Sequence, residues 1–107
     1  MAKAEICAGI CGFNTTVVAR SSGDGTIHLD VKRDCKAVLK LAEQLQDVDP
    51  YREFTWRRQG PLTLELAPQC LSHPACPVPS GIIKVVEVEA GLALPKDVTI
   101  KLLKSEE

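Results

Sequence analysis

Two strand-like segments joined by a glycine-containing turn place the strongest constraint on the fold. Residues 14–20, NTTVVAR, are rich in β-branched side chains, and residues 25–32, GTIHLDVK, alternate between apolar and polar positions. Between them SSGDG supplies glycines, which accept the positive φ angles that tight hairpin turns need. The pattern predicts an antiparallel hairpin with Ile27, Leu29 and Val31 on its buried face.

A shorter segment before the hairpin predicts another strand. In residues 3–8, KAEICA, Ala4 and Ile6 share one face, while the charged side chains and Cys7 share the other. This alternation is typical of a half-buried strand. The sequence GICG then interrupts the alternation, so we expect a turn between this strand and the hairpin.

After the hairpin the apolar period becomes that of a helix. In DCKAVLKLAEQLQDV the apolar side chains recur every three or four residues. The stripe consists of Val38, Leu41, Ala42, Leu45 and Val48. Asp34 is expected to cap this helix, which places Cys35 in its first turn. Asp49-Pro50 is expected to end it, because proline disfavours helical geometry in the preceding residue.

The following segment predicts a second hairpin. Residues 53–58 favour a strand, and residues 62–66 alternate leucines with polar side chains. A turn around Gln59-Gly60 is the simplest connection between them.

The last third of the chain predicts a helix followed by a strand. Residues 82–90 alternate like a strand, yet Ser80 and Gly91 are usable helix caps, so we predict a largely buried helix. The tail DVTIKLL alternates again and predicts a final strand. Its apolar face consists of Val98, Ile100 and Leu102.

These elements predict an α+β fold, an antiparallel β-sheet with two helices packed on one face. The 107 residues match the commonest domain size, and no repeat or linker divides them, so residues 1–107 are expected to form a single domain. No apolar run approaches the roughly 18 residues of a membrane span, and the N-terminus lacks a signal-peptide core. A cytoplasmic location and no membrane partner are expected.

Charge argues against nucleic acid as a partner. The formal net charge is −1, which supplies no general attraction to polyanions. The run REFTWRRQG combines arginines with aromatic side chains, but one such run is more often a solvated strand with one aromatic in the core. A protein partner is expected instead, and a homodimer is one arrangement left open.

The cysteine content is the strongest indication of function. The chain has five cysteines, an odd number that internal disulfides cannot exhaust. They are Cys7, Cys11, Cys35, Cys70 and Cys76. None is spaced as C-x-x-C, which argues against a zinc ribbon and a thioredoxin-like redox motif.

Three of these cysteines lie where predicted elements meet. Cys11 lies in the turn after the first strand, where the following glycine allows backbone to approach a ligand. Cys35 lies at a helix N-terminus beside basic residues, and both features favour a thiolate. Cys76 follows His73 in the proline-rich loop SHPACPVPSG. We predict that Cys11, Cys35 and Cys76 hold a metal or cluster, with His73 as a fourth ligand. Cys7 and Cys70 are weaker candidates.

This order of elements resembles the U-type (IscU/NifU-like) iron-sulfur cluster scaffold proteins. The resemblance implies that Cys11, Cys35, His73 and Cys76 hold an iron-sulfur cluster or zinc. Two features differ from that family. Phe13 stands where the family has an aspartate, and two residues separate His73 from Cys76, whereas the family's histidine directly adjoins its cysteine. Through CGFNT, HPACPVP and GLALPKD the sequence also looks like a small uncharacterised cysteine-containing family found in anaerobes, a likeness that carries no known activity.

The predicted function is therefore a cytoplasmic metal or iron-sulfur binding module, a scaffold, carrier or accessory protein rather than an enzyme. One alternative is a small interaction or assembly module with structural cysteines. Another is a thiol redox protein that uses Cys35 or the pair Cys7 and Cys11. A nucleophile and base formed by Cys76 and His73 is the weakest reading, because no third orienting group is evident.

Overall fold

The computed structural model describes residues 1–105, except for the side chain of Cys11. Four antiparallel strands form one sheet in the order β1-β2-β3-β4. The strands are β1 (Ala2–Cys7), β2 (Asn14–Ser21), β3 (Ile27–Arg33) and β4 (Asp47–Val48). A 3-10 turn at Gly9–Cys11 joins β1 to β2. The helices are α1 (Lys36–Gln44), α2 (Pro50–Glu53), α3 (Leu62–Cys70) and α4 (Val78–Glu89).

The α+β class and the two helices on one face of the sheet are confirmed. Helix α4 packs on β1 and β2, and α1 packs on β3. Their apolar stripes share one core with the inward side chains of the sheet, among them Val17, Leu29, Leu41 and Val86. The opposite face of β3 exposes polar side chains such as His28 and Asp30 to solvent, as expected for an antiparallel sheet covered on one side.

The predicted first hairpin is confirmed. Ser21 pairs with Ile27 where the two strands end, and Ile27, Leu29 and Val31 are buried. In the turn the Asp24 carboxylate accepts hydrogen bonds from the Thr26 hydroxyl and the Thr26 amide, at 2.7 and 3.0 Å. The hydroxyl is the main cause that lowers the pKa of Asp24, and the amide adds to it.

Helix α1 starts and ends differently from the prediction. Cys35, not Asp34, occupies the N-cap position, and it has extended backbone geometry. The Asp34 carboxylate instead accepts a hydrogen bond from the Asn14 amide at 3.2 Å. The helix ends at Gln44, because the next residues return to the sheet: the Leu29 amide donates to the Gln46 carbonyl at 2.8 Å. Val48 therefore belongs to β4.

The predicted strands at 53–58 and 62–66 are absent. Asp49 does not end a long helix but caps the short α2, where its carboxylate accepts a hydrogen bond from the Tyr51 amide at 3.0 Å. The segment 62–66 is the first part of α3. Glu53 explains this difference, because its buried carboxylate accepts hydrogen bonds from the Leu62 and Thr63 amides, at 2.8 and 3.0 Å, and from the Thr63 hydroxyl.

The helix predicted for 82–90 is confirmed as α4, but it begins two residues before Ser80, which is not its cap. Gly91 ends it as predicted. Its φ of +77° allows the Gly91 amide to donate to the Val88 carbonyl at 3.1 Å. The Leu92 amide donates to the Glu87 carbonyl at 2.9 Å. This pair of bonds is the Schellman arrangement.

The predicted final strand is also absent. Residues 96–103, called the C-terminal arm below, pair with no strand in the described part of the chain. Val98, Ile100 and Leu102 are 63%, 76% and 91% exposed. The molecule measures 53 × 28 × 27 Å along its principal axes, as expected of a globular body with a projecting arm.

Candidate functional site

Two cysteine-bearing connections lie at the same end of the sheet. The last residue of β1, Cys7, pairs with Asn14, so the 3-10 turn that contains Cys11 is at this end. Strand β3 also ends there, since the Asp34 amide donates to the Asn14 carbonyl at 3.3 Å. Cys35 follows directly. This end, where β1 stops and β2 starts, is called the cysteine end below.

Helix α4 begins at the cysteine end as well. Gly81, in its first turn, lies so close to β1 that a Cβ there would be 2.3 Å from Cδ1 of Ile6. At the far end of the helix, Glu89 contacts Ser21 and the amino group of Met1, at 2.9 and 3.1 Å. Cys76 stands two residues before α4, so its loop approaches the same end of the sheet.

The thiols differ in exposure. Cys7 is exposed, whereas Cys35 and Cys76 are partly buried against the core, and all three are free. The side chain of Cys11 lies outside the described residues, so its predicted ligand role stays a prediction. Among the side chains that the structure describes, no three of His, Cys, Asp or Glu are grouped to hold a metal ion. Cys35, His73 and Cys76, the three predicted ligands whose side chains are described, are therefore not brought together into such a group.

Cys70 is set apart from this group. It ends α3, where its sulfur accepts a hydrogen bond from the Gln44 amide group at 3.4 Å. Gln44 is the last residue of α1, and Cys35 stands before the first. These two positions are nine residues apart along the helix, a length of roughly 13 Å. Cys70 therefore lies toward the other end of α1, where it packs against the core.

His73 and Cys76 line one surface cavity of about 450 Å³. The Cys76 amide donates to the His73 carbonyl at 3.2 Å, which closes a tight turn between them. Helix α3 supplies part of the wall through Leu64 and Pro68. The sequence predicted the proline-rich loop that carries His73 and Cys76. It did not predict that α3 forms part of the cavity wall, because residues 62–66 were predicted to be a strand.

A second cavity, of about 580 Å³, lies beside the arginine-rich segment after α2. Arg52 is fixed in it by an ion pair with Glu65 and a hydrogen bond to the Gly60 carbonyl. Arg57 and Arg58 also line it and form no ion pair with any described residue. Arg58 has a φ of +61°, a backbone conformation that is costly for a residue with a Cβ.

The aromatic side chains of this segment are at the surface. Trp56 is 81% exposed, so the expected strand with an aromatic in the core is wrong on both points. Tyr51 and Phe54 are 66% and 46% exposed and meet edge to face, with ring centroids 6.0 Å apart. Next to these rings, the guanidinium groups of Arg57 and Arg58 offer ion pairs to an anionic group, and the rings offer stacking to a flat one.

Comparison with protein families adds one firm result. Residues 2–102 match a family of unknown function, DUF6951. The chain belongs to this family. No curated protein and no solved structure matches the chain. Membership agrees with the likeness to an uncharacterised family, and it supports neither a relationship to U-type scaffold proteins nor an origin in anaerobes.

The family match also includes most of the C-terminal arm, since it extends to Leu102. Within the described part of the chain, no helix combines the length and the apolar character that crossing a lipid bilayer requires.

Proposed function

We propose that this protein binds a transition metal or an iron-sulfur cluster through Cys11, Cys35 and Cys76, with His73 as a fourth ligand. It would act as a cytoplasmic scaffold, carrier or accessory protein. The observation that supports the proposal is topological: the turn of Cys11, the start of α1 and the loop before α4 all approach the cysteine end.

The chemistry of this end suits thiolate ligands. Helices α1 and α4 both begin there, and neither has a side-chain cap. The first amides of a helix have no partner within it, so those of α1 are available to donate to sulfur, as are those of Val78 and Ser80 in α4, where Pro79 has none. The positive ends of the two helix dipoles also favour anionic sulfur. Thiolates are soft ligands suited to iron-sulfur clusters, zinc and copper(I).

The order of elements supports the same assignment. A strand, a Cys-Gly turn, a hairpin, a cysteine at a helix N-terminus and a His-Cys loop before the last helix follow one another here. The same order characterises the U-type scaffold proteins that the sequence resembles. Phe13 is 44% exposed beside Cys11 and Gly12, where that family has an aspartate, so release of a cluster would proceed without that carboxylate.

Metal binding is tested on the protein purified without oxygen. Metal analysis and the visible spectrum report an iron-sulfur cluster, and titration of the reduced apoprotein with cobalt(II) reports thiolate coordination. We expect one equivalent of cobalt(II) to produce sulfur-to-metal charge-transfer absorption. A wild-type protein that contains no metal, and leaves the cobalt(II) spectrum unchanged, would contradict the proposal.

Serine variants identify the ligands. Replacing Cys11, Cys35 or Cys76 by serine should lower metal affinity by more than about 100-fold, beyond the 10–100-fold effect of outer-shell changes. Cys70→Ser is the matched control, because Cys70 is a partly buried thiol away from the cysteine end, and it should leave affinity unchanged. Equal losses in Cys70→Ser and Cys11→Ser would instead indicate structural cysteines in an interaction or assembly module.

A further inference from the structure

The C-terminal arm combines an alternating apolar pattern with a backbone that pairs with no strand in the described part of the chain. Val98, Ile100 and Leu102 alternate with Asp97, Thr99 and Lys101, so in extended geometry one face is apolar and the other polar. The apolar side chains are 63–91% exposed. A surface segment of this length and apolar character is unusual for an isolated domain and is typical of an interaction element.

A strand-like arm needs a sheet edge to pair with, and β1 provides one. The sheet order makes β1 an outermost strand, so in the described part of the chain no strand lies beside its outward amides and carbonyls. Ala4 and Ile6, on the inner face of β1, are only partly buried. A strand added beside β1 would continue this apolar face with the arm's Val98 and Ile100. Such strand addition is a recurrent mode of recognition.

Charge on the polar faces favours a parallel pairing. In β1 the polar face carries Lys3 and Glu5. With the faces aligned and all six residues of β1 opposite the arm, the two parallel registers place Lys3 opposite Asp97 or Glu5 opposite Lys101. The antiparallel register with the same overlap places Lys3 opposite Lys101, and like charges directly across a pair are unfavourable.

We propose that the arm of one copy pairs with the outer edge of β1 in a second copy, and that the exchange is reciprocal. Within one chain the arm lies off its own sheet and remains exposed. Each copy would contribute the eight arm residues and the six of β1, fewer than the roughly 20–30 per side of a standard interface. The homodimer is therefore expected to dissociate on dilution. This assignment does not depend on metal binding.

Light scattering coupled to size-exclusion chromatography, over a wide concentration range, tests the proposal. The wild-type protein should approach twice the 11.6 kDa chain mass at high concentration. Ile100→Asp places a charge on the arm's apolar face and should give a monomer throughout the range. Thr99→Asn is the control, because it places a polar side chain on the polar face next to it without adding a charge opposite Lys3 or Glu5, and it should still dimerise.

Hydrogen exchange then identifies the edge that is used. Amides of β1 that face away from β2 should exchange slowly in the wild-type dimer and faster in Ile100→Asp. A wild-type protein that is monomeric at every concentration, or an Ile100→Asp variant that still dimerises, would overturn the proposal. A monomer whose outer β1 amides are protected would also overturn it, since the arm would then pair with its own sheet.

Discussion

At the scale of single residues, the carboxylate of Glu53 organises the middle of the chain. It is 1% exposed and accepts hydrogen bonds from Leu62 and Thr63. The residue before α3 is Pro61, which offers no capping oxygen in its side chain. Glu53 supplies that oxygen from α2, nine residues upstream of Leu62, so one buried group starts α3 and fixes it to α2.

Replacing this carboxylate by an amide should destabilise the protein. In Glu53→Gln one oxygen becomes an NH₂ donor that faces another donor, so we expect a decrease of about 1–3 kcal/mol in the free energy of unfolding. Denaturant titration followed by far-UV circular dichroism measures it. The control is Glu65→Gln, which affects a part-exposed ion pair and should cost less than about 1 kcal/mol. Equal losses of unfolding free energy in the two variants would show that burial does not determine how much the Glu53 carboxylate contributes to stability.

At the scale of elements, periodicity was sufficient where an element packs on one face only. It was sufficient for β1, β2 and β3 and for Val38, Leu41 and Ala42 of the α1 stripe, because each element presents a single apolar face to the core. It failed for α3, where Leu62, Leu64 and Leu66 alternate like a strand. In the structure Leu62 and Leu66 pack against the core, four residues apart on one helix face, while Leu64 lines the neighbouring cavity.

The same reasoning explains the error at the C-terminal arm. Alternation shows that a segment suits a sheet, but it does not show that a partner strand is available within the chain. Similarly, no local signal indicates the distant cap Glu53, so the helical character of α3 could not be predicted from its own residues.

The close packing of α4 on β1 predicts that a side chain added at Gly81 would destabilise the protein. A Cβ on Gly81 would lie 2.3 Å from Cδ1 and 2.7 Å from Cγ1 of Ile6. Gly81→Ala should therefore lower the free energy of unfolding by about 1–3 kcal/mol through overpacking, less the gain of about 1 kcal/mol in helix propensity.

A double-mutant cycle separates the two contributions. In an Ile6→Ala background the clash is removed, so Gly81→Ala should become neutral or stabilising, with a coupling energy of about 0.5–3 kcal/mol. Ser80→Ala, an exposed neighbour on the same helix, should change stability by less than about 0.5 kcal/mol. Additive effects of the Gly81 and Ile6 changes would contradict the close contact.

At the scale of the whole molecule, the cysteine end follows from the order of antiparallel elements. In a meander successive connections alternate between the two ends of the sheet, so the first connection, with Cys11, and the third, with Cys35, must lie together. The predicted strand, turn and hairpin were therefore enough to place Cys11 and Cys35 at the same end of the sheet. They did not place Cys76, because its position depends on how α4 crosses the sheet and on α3. The helical character of α3 could not be predicted from its alternating leucines.

At the end of the sheet opposite the cysteine end, Glu89 of α4 contacts Met1 and Ser21. The contribution of this contact to stability depends on pH. The Met1 amino group, at 3.1 Å, is the main cause that holds the pKa of Glu89 below its ordinary value of 4.5. Burial opposes this shift, and hydrogen bonds from Ser21 add to it. Because the folded-state pKa is depressed, the contribution is present above the ordinary value and is lost as the pH falls through the folded-state value.

Glu89→Gln should therefore be less stable than wild type near neutral pH. The two proteins should converge as the pH falls below about 4.5, the range in which the wild-type carboxylate becomes protonated. Denaturant titrations across this pH range measure the difference. A constant difference at all pH values would show that the side chain acts by packing and not by its charge.

The exposed position of Trp56 has a spectroscopic consequence. It is the single tryptophan of the chain and is already 81% exposed in the folded protein. Its emission should therefore sit near that of a fully hydrated indole and change little on unfolding. Quenching or a blue shift of that emission would instead report an anionic molecule settling beside Arg57 and Arg58, which makes Trp56 a built-in reporter for that cavity.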